Sequence, residues 1–144
     1  MTTVQTPTVE REIRIDAKPE TVFPFLIDAE KMIHWIGTAT TLDARPGGEL
    51  DILVGGDKRV SGEFLEIDPP HRVVFTWGWH NADIGLPPGS SRVEISLLPD
   101  AGGTLVRLRH LDLPESLVAD HTEGWTHLLG ALAKAVTEAL GAAR

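Results

Sequence analysis

The chain is 144 residues long, 42% hydrophobic and 24% charged, a size and balance that suit one globular domain spanning residues 1–144 with its own core. Its 21 acidic against 13 basic side chains leave a net charge of −8, which repels phosphate backbones and argues against a nucleic-acid partner. There is no cysteine, which removes disulfides, thiol nucleophiles and cysteine-based zinc sites together.

The N-terminal MTTVQTPTVERE lacks the apolar core of a secretory signal. Residues 1–7 are therefore expected to be a loose tail, and the setting cytoplasmic. VEREIRI (9–15) places Val9, Arg11, Ile13 and Ile15 on one side with charges mostly on the other, the period of a half-buried strand. DAKPETVFPFLIDAEKMIHWI (16–36) predicts two short helices, with Pro19 at a start, Pro24 limiting the first and Asp28 placed to cap the second.

From residue 40 to 110, strand-like runs alternate with turn chemistry: TTLDA, ELDILV, RVSGEFLEI, RVVFTWGW, SRVEISLLP and TLVRLRHL, separated by PGG, GGDK, DPPH, the loop 80–91 and DAGG. They predict a six-stranded antiparallel meander. A helix is expected from about Glu115 to Ala142, with Leu128, Leu129, Leu132, Val136, Ala139 and Leu140 on the side of Trp125 and His127 on the far side. One amphipathic helix after a curved sheet makes an α+β domain. No apolar run approaches the ~20 residues of a membrane-spanning helix.

The stretch FTWGWH (75–80) concentrates three of the eight Phe and Trp residues in a chain without Tyr. Strand parity turns Val73, Phe75, Trp77 and Trp79 to one face and Arg72, Val74, Thr76 and Gly78 to the other. The bulky face belongs inside, where Phe75, with Phe64 of the preceding strand, fills core while Trp77 and Trp79 are candidates for a pocket wall. The same parity sends His110 inward and His80 outward. His121 stands one turn before Trp125 on the apolar stripe of the last helix, and Trp35 ends the second short helix as a lid or a peg. The Gly- and Pro-rich loop 80–91 is expected to be a mobile gate.

No metal site is expected: His121 and His127 lie on different faces of one helix, without an HExxH spacing. No phosphate loop or dinucleotide glycine pattern is present, so no cofactor is expected. Ser90 and Ser91 lie in a loop leading into a strand, not at a strand-to-helix turn suited to a nucleophile.

The order of elements, with IDAKPETVFPFL, MIHWIG, GEFLEIDPPHRVVFTW, GGTLVRLRH and HTEGWTHLLGALAKAV as they stand here, resembles the helix-grip fold of the START-like (SRPBCC) superfamily. Within it, the resemblance is to the branch named after the activator of heat-shock-protein ATPase. That resemblance runs from Val9 to Leu140 and implies a cavity between the sheet and the last helix. Members of the superfamily use it to bind lipids, hormones and polyketides, and some are aromatase/cyclases.

The expected function is therefore binding of a small, largely apolar, ring-containing ligand, as carrier or sensor, by a monomer or homodimer. Trp35, Phe64, Phe75, Trp77, Trp79, His110, His121 and Trp125 are the candidate ligand-binding residues. The alternatives are a polyketide cyclase or hydrolase using His110 or His121 with a carboxylate, and a co-chaperone-type interaction protein working through its surface.

Overall fold

The computed structural model describes residues 8–142; the tail expected over residues 1–7 lies outside them. Seven strands form one antiparallel sheet: β1 (Val9–Ile15), β2 (Ala39–Leu42), β3 (Glu49–Val54), β4 (Lys58–Asp68), β5 (Arg72–Trp77), β6 (Ser91–Asp100) and β7 (Gly103–Leu111). Their spatial order is β1-β7-β6-β5-β4-β3-β2, so β2 to β7 run as a meander and β1 closes onto β7. Each meander neighbour is also the next strand in sequence, the shortest route between antiparallel partners.

The long helix α4 (Val118–Ala142) lies across the inner face, preceded by one 3-10 turn over Glu115–Leu117. Its Trp125, Leu129, Leu132, Ala135 and Val136 are buried, the stripe that the 3.6-residue period sets out. The sheet curved round this helix is the helix-grip arrangement, and no helix among the described residues is long and apolar enough to cross a membrane.

Between β1 and β2 the chain makes three single-turn helices where two were expected: α1 (Pro19–Val22), α2 (Pro24–Ile27) and α3 (Ala29–Met32). Pro24 ends α1 and then opens its own turn, because its fixed φ suits a first helical position as well as it blocks an interior one. Asp28 caps α3 by accepting the Glu30 N–H at 2.9 Å. In β4 the register shifts between Phe64 and Glu66. Leu65 is the residue left over at that bulge, and it stands out at 45% exposure.

β5 stops two residues short of RVVFTWGW. Trp77 pairs with Ser91 of β6, but the Trp79 N–H donates to the Leu86 carbonyl at 2.6 Å, inside the following loop. Gly78 explains the switch: a Cβ there would sit 1.8 Å from the Pro87 carbonyl oxygen. The loop crosses Gly78 at backbone contact, which only glycine permits.

That loop is pinned. Leu86 is buried at 3% exposure, Asn81 accepts from the Arg59 N–H and donates to the Asp57 carbonyl, and the Ser90 hydroxyl donates to the Pro87 carbonyl. These contacts were not foreseen from its Gly and Pro content, since the same residues allow a close crossing as readily as they allow motion.

Candidate functional site

A pocket of about 340 Å³ opens between the Trp77 end of β5, the loop after it and the first turns of α4. Its wall is mainly ring and aliphatic surface: Trp77, Trp79, Trp125, Val54, Ile84, Leu117 and Leu128, with Gly124 where α4 passes. Lys58, Asp120, His121 and His127 supply the polar groups. A larger groove of about 760 Å³ lies between α2, α3 and the C-terminal half of α4. It is lined by charges of both signs, among them Asp28, Glu30, Lys31, Lys134 and Glu138, and so lacks the predominantly apolar wall that small-molecule sites share.

Four of the sequence-derived candidates, Trp77, Trp79, His121 and Trp125, line the smaller pocket. The Trp77 and Trp125 rings meet at 5.0 Å between centroids, and Trp79 stands edge-on to Trp77 at 5.7 Å. His110 lies behind them, fully buried, 6.0 Å from Trp77 and 5.2 Å from His121. Phe75 and Phe64 continue the ring contacts away from the pocket, at 6.2 Å from Trp77 and 6.1 Å from each other. Trp35 is buried elsewhere, its Nε1–H donated to the Phe25 carbonyl at 2.8 Å, and packs as a peg rather than at the pocket.

The hydrogen bonds fix the tautomer of both inner histidines. An indole N–H can only donate. Trp125 Nε1 is 2.9 Å from His110 Nδ1, so Nδ1 accepts and the His110 proton sits on Nε2. Nε2–H then donates to Ser91 Oγ at 2.8 Å, and the Ser91 hydroxyl donates to the Trp77 carbonyl at 2.6 Å. In the same way Trp79 Nε1–H donates to His121 Nε2 at 3.1 Å, while His121 Nδ1–H donates to the Leu117 carbonyl at 2.9 Å.

Every nitrogen of both rings is committed, and none meets a carboxylate. Ser91 gives its proton to a backbone carbonyl while its histidine donates toward it, the reverse of the polarity that activates a serine nucleophile. Parity located His110 but not Ser91, whose part follows from its position opposite Trp77 at the start of β6.

Burial pushes the His110 pKa down to about 3, with the neighbouring His121 adding to the shift, and burial also lowers that of His121. Both rings are neutral in the folded state, whereas in the unfolded chain histidine titrates near 6.5. Below pH ~6.5 the unfolded chain therefore binds protons that the folded chain refuses. The stability that His110 contributes is present above that pH and is lost as pH falls toward 3, and His121 acts in the same direction. Urea unfolding at pH 7.5, 6.0 and 5.0 is expected to show stability falling by up to about 1.4 kcal/mol per pH unit from His110, with His121 adding to the fall in the same direction. A flat profile over that range would mean that the rings are protonated in place.

His80 points to the outer face, as its parity requires. Its Nε2 is 2.6 Å from Ser61 Oγ, which lies 3.2 Å from Asp51 Oδ2. Asp51 is also bound by the Arg59 guanidinium through both carboxylate oxygens, which holds its carboxyl below the usual range. The carboxylate can only accept, so the serine proton goes to Asp51 and His80 donates to the serine. This exposed group is a polar clasp between β3, β4 and the start of the loop, with no catalytic polarity.

His127 was assigned to the far side of α4, and it is exposed, yet it borders the pocket mouth. The pocket reaches round the helix edge further than a wheel centred on Trp125 suggests. Lys58, Ile84 and Asp120 at the same mouth come from the start of β4, a loop and a helix start, whose meeting no local pattern announces.

Residues 16–137 match the family model described as activator of Hsp90 ATPase homolog 1-like protein. No curated protein matches the chain. Among solved structures, DynU16 from the dynemicin biosynthetic locus is 22% identical with a TM-score of 0.77, over 88% of this chain and 46% of its own. An Aha1 from Colwellia psychrerythraea, solved as a dimer, is 17% identical with a TM-score of 0.78, over 90% of this chain and 96% of its own. An HSP90 activator from Plasmodium falciparum is 23% identical with a TM-score of 0.69, over 85% and 91%. At these identities the likeness is one of fold, and the chain spans about half of the first of these relatives. With the family model matched over most of its length, the chain belongs to the activator of Hsp90 ATPase homolog 1-like family, within the START-like superfamily.

Proposed function

We propose that the protein binds a small, largely apolar, ring-containing molecule in the pocket between Trp77, Trp79, Trp125 and His121. The observation that carries this reading is the pocket's lining. Three tryptophans and several aliphatic side chains surround about 340 Å³, at the small end of the range for small-molecule sites. Half-buried Trp79 turns part of its ring to the opening while Trp77 and Trp125, each 2% exposed, back it, and a planar ligand packs well on such a ring.

Two further observations favour binding over the alternatives. The inner histidines that an acid–base mechanism would use have no free nitrogen and no carboxylate partner. Among the described residues the exposed large hydrophobic side chains are Ile33, Leu65 and Leu98. They lie at the end of α3, on β4 and on β6, so they offer little support for a surface-acting co-chaperone. Dimerisation, seen in the Colwellia relative, is compatible with this reading.

Gly124 provides the test. It lines the pocket, and a Cβ built there meets nothing within 4 Å. A larger side chain would enter the mouth while replacing a poor helix former, which itself stabilises by roughly 0.5–1 kcal/mol. Gly124→Leu is expected to keep or raise the melting temperature and to weaken binding of a naphthalene-class probe at least tenfold, read as tryptophan quenching. Equal quenching in both proteins would place the probe elsewhere and sink the proposal.

A further inference from the structure

The four indoles of the chain are held in different ways. Trp35 and Trp125 are buried and donate to the Phe25 carbonyl and to His110, and Trp77 is enclosed in the core with its N–H unpaired. Trp79 is half-buried. It stands beyond the end of β5 at the pocket opening, with one ring edge against Trp77 and its Nε1–H donated to His121 Nε2 at 3.1 Å. An indole has a single N–H, so this is the one hydrogen bond that can fix the rotation of the ring.

His121 is itself oriented for that bond. Its Nδ1–H donates to the Leu117 carbonyl one turn back at 2.9 Å, which leaves the Nε2 lone pair toward Trp79. Such a bond exists for the neutral ring alone: an imidazolium carries a proton on both nitrogens and accepts nothing, so protonation sets N–H against N–H. Burial disfavours the charged ring and outweighs the Leu117 carbonyl and the neighbouring Asp120, which favour it, so the His121 pKa lies below the usual histidine range. From β7 the ring faces His110 at 5.2 Å between centroids, and Lys58 of β4 and His127 of α4 are the other titratable groups on the pocket lining. His110 makes the same kind of bond to Trp125, but it is fully buried and its pKa is pushed down to about 3. Half-buried His121 is the ring of the two that takes a proton first.

Resting on the ligand-pocket reading above, we infer that His121 is the positioning residue for Trp79 and a proton-operated latch on the pocket: neutral, it holds the indole in the wall against the ligand, and protonated, it releases the indole and the ligand with it. Ligand and proton therefore exclude each other. By linkage, a bound ligand drives His121 further from protonation by the same factor that the proton weakens the ligand.

The test uses the native chain and 1-acetonaphthone, a neutral probe without a titrating group. Its affinity is measured by tryptophan quenching from pH 7.5 downward, over the range in which circular dichroism shows the chain folded. The His121 ring signals, assigned by their absence in His121→Gln, are followed by NMR over the same range with and without the probe. The expected result is an affinity that falls at least about threefold, with its midpoint at that of His121 and with the His121 titration moved to lower pH by saturating probe. His121→Gln keeps an acceptor but cannot titrate, so its affinity is expected to stay level across the range. His121→Leu offers no acceptor and is expected to bind about twofold to tenfold more weakly than His121→Gln at pH 7.5. Should the Leu variant fail to fold, the wild-type and Gln measurements decide between them. A level wild-type affinity, a His121 titration that the probe does not move, or a fall that persists in His121→Gln and so belongs to another group such as His127, would overturn this inference and leave the pocket reading standing. Without quenching at pH 7.5 the pocket reading falls, and this inference with it.

Discussion

Replacing His110 with Ala is expected to lower stability by about 3–5 kcal/mol. The ring is fully buried, so its removal opens a cavity in the layer behind Trp77 and Trp125. The Trp125 N–H loses its acceptor and the Ser91 hydroxyl loses a donor, and an orphaned buried donor adds about 1–3 kcal/mol to the cavity term. His110→Leu separates the two contributions. It fills most of the volume and restores no hydrogen bond, so it is expected to fall between the wild type and His110→Ala in urea denaturation at pH 7.5. A Leu variant as stable as the wild type would show that the Trp125–His110–Ser91–Trp77 chain contributes only packing.

Gly78→Ala is expected to cost about 2–3 kcal/mol and to weaken ligand binding more than tenfold, although Gly78 itself is not a pocket residue. The added Cβ would meet the Pro87 carbonyl oxygen at 1.8 Å, the Pro87 carbonyl carbon at 2.3 Å and Pro88 Cα at 2.6 Å. All three are backbone atoms, so the loop has to lift rather than a side chain turn aside. Lifting it breaks the 2.6 Å bond from the Trp79 N–H to the Leu86 carbonyl. It also draws Leu86 out of the core and carries Ile84 off the pocket wall. Amide exchange at Trp79 reads the bond directly. Unchanged protection in Gly78→Ala would mean that the loop is not held by this crossing.

The two glycine substitutions thus act oppositely on stability, although both weaken binding, in a way that composition alone does not reveal. Gly78 has backbone 1.8 Å from its missing Cβ, while Gly124 has open space, and both changes act on the same pocket. In sequence each is only a glycine near a tryptophan.

Much of the fold was legible because it rests on local periodicities. The two-residue alternation of the six meander runs and the 3.6-residue stripe of α4 survive folding, since each element buries its own apolar face. Asp28 was readable as a cap because capping is settled within a few residues. Strand parity also set the inward direction of Phe75, Trp77 and His110 and the outward direction of His80.

What failed was set by approach between distant segments. The early end of β5 and the course of the loop depend on where Pro87 comes to lie against Gly78, and the loop's hydrogen bonds run to Asp57 and Arg59 on a neighbouring turn and strand. The division of the aromatic set was equally hidden. Trp77 and Phe75 share a strand face, yet only Trp77 reaches the pocket, because Phe75 packs between Phe64 and Trp77 in the core. The pairing of each histidine with an indole needs α4 docked on the sheet, and so does the unpaired Trp77 N–H.

The most direct test of the pocket's role is a crystal structure of the protein soaked with 1-acetonaphthone at saturating concentration. The expected result is ring density in the opening lined by Trp79, His121 and Leu128, against the Trp77 and Trp125 side of the wall. Density in the groove between α3 and α4 beside Phe25 and Lys134, or none at all, would contradict it.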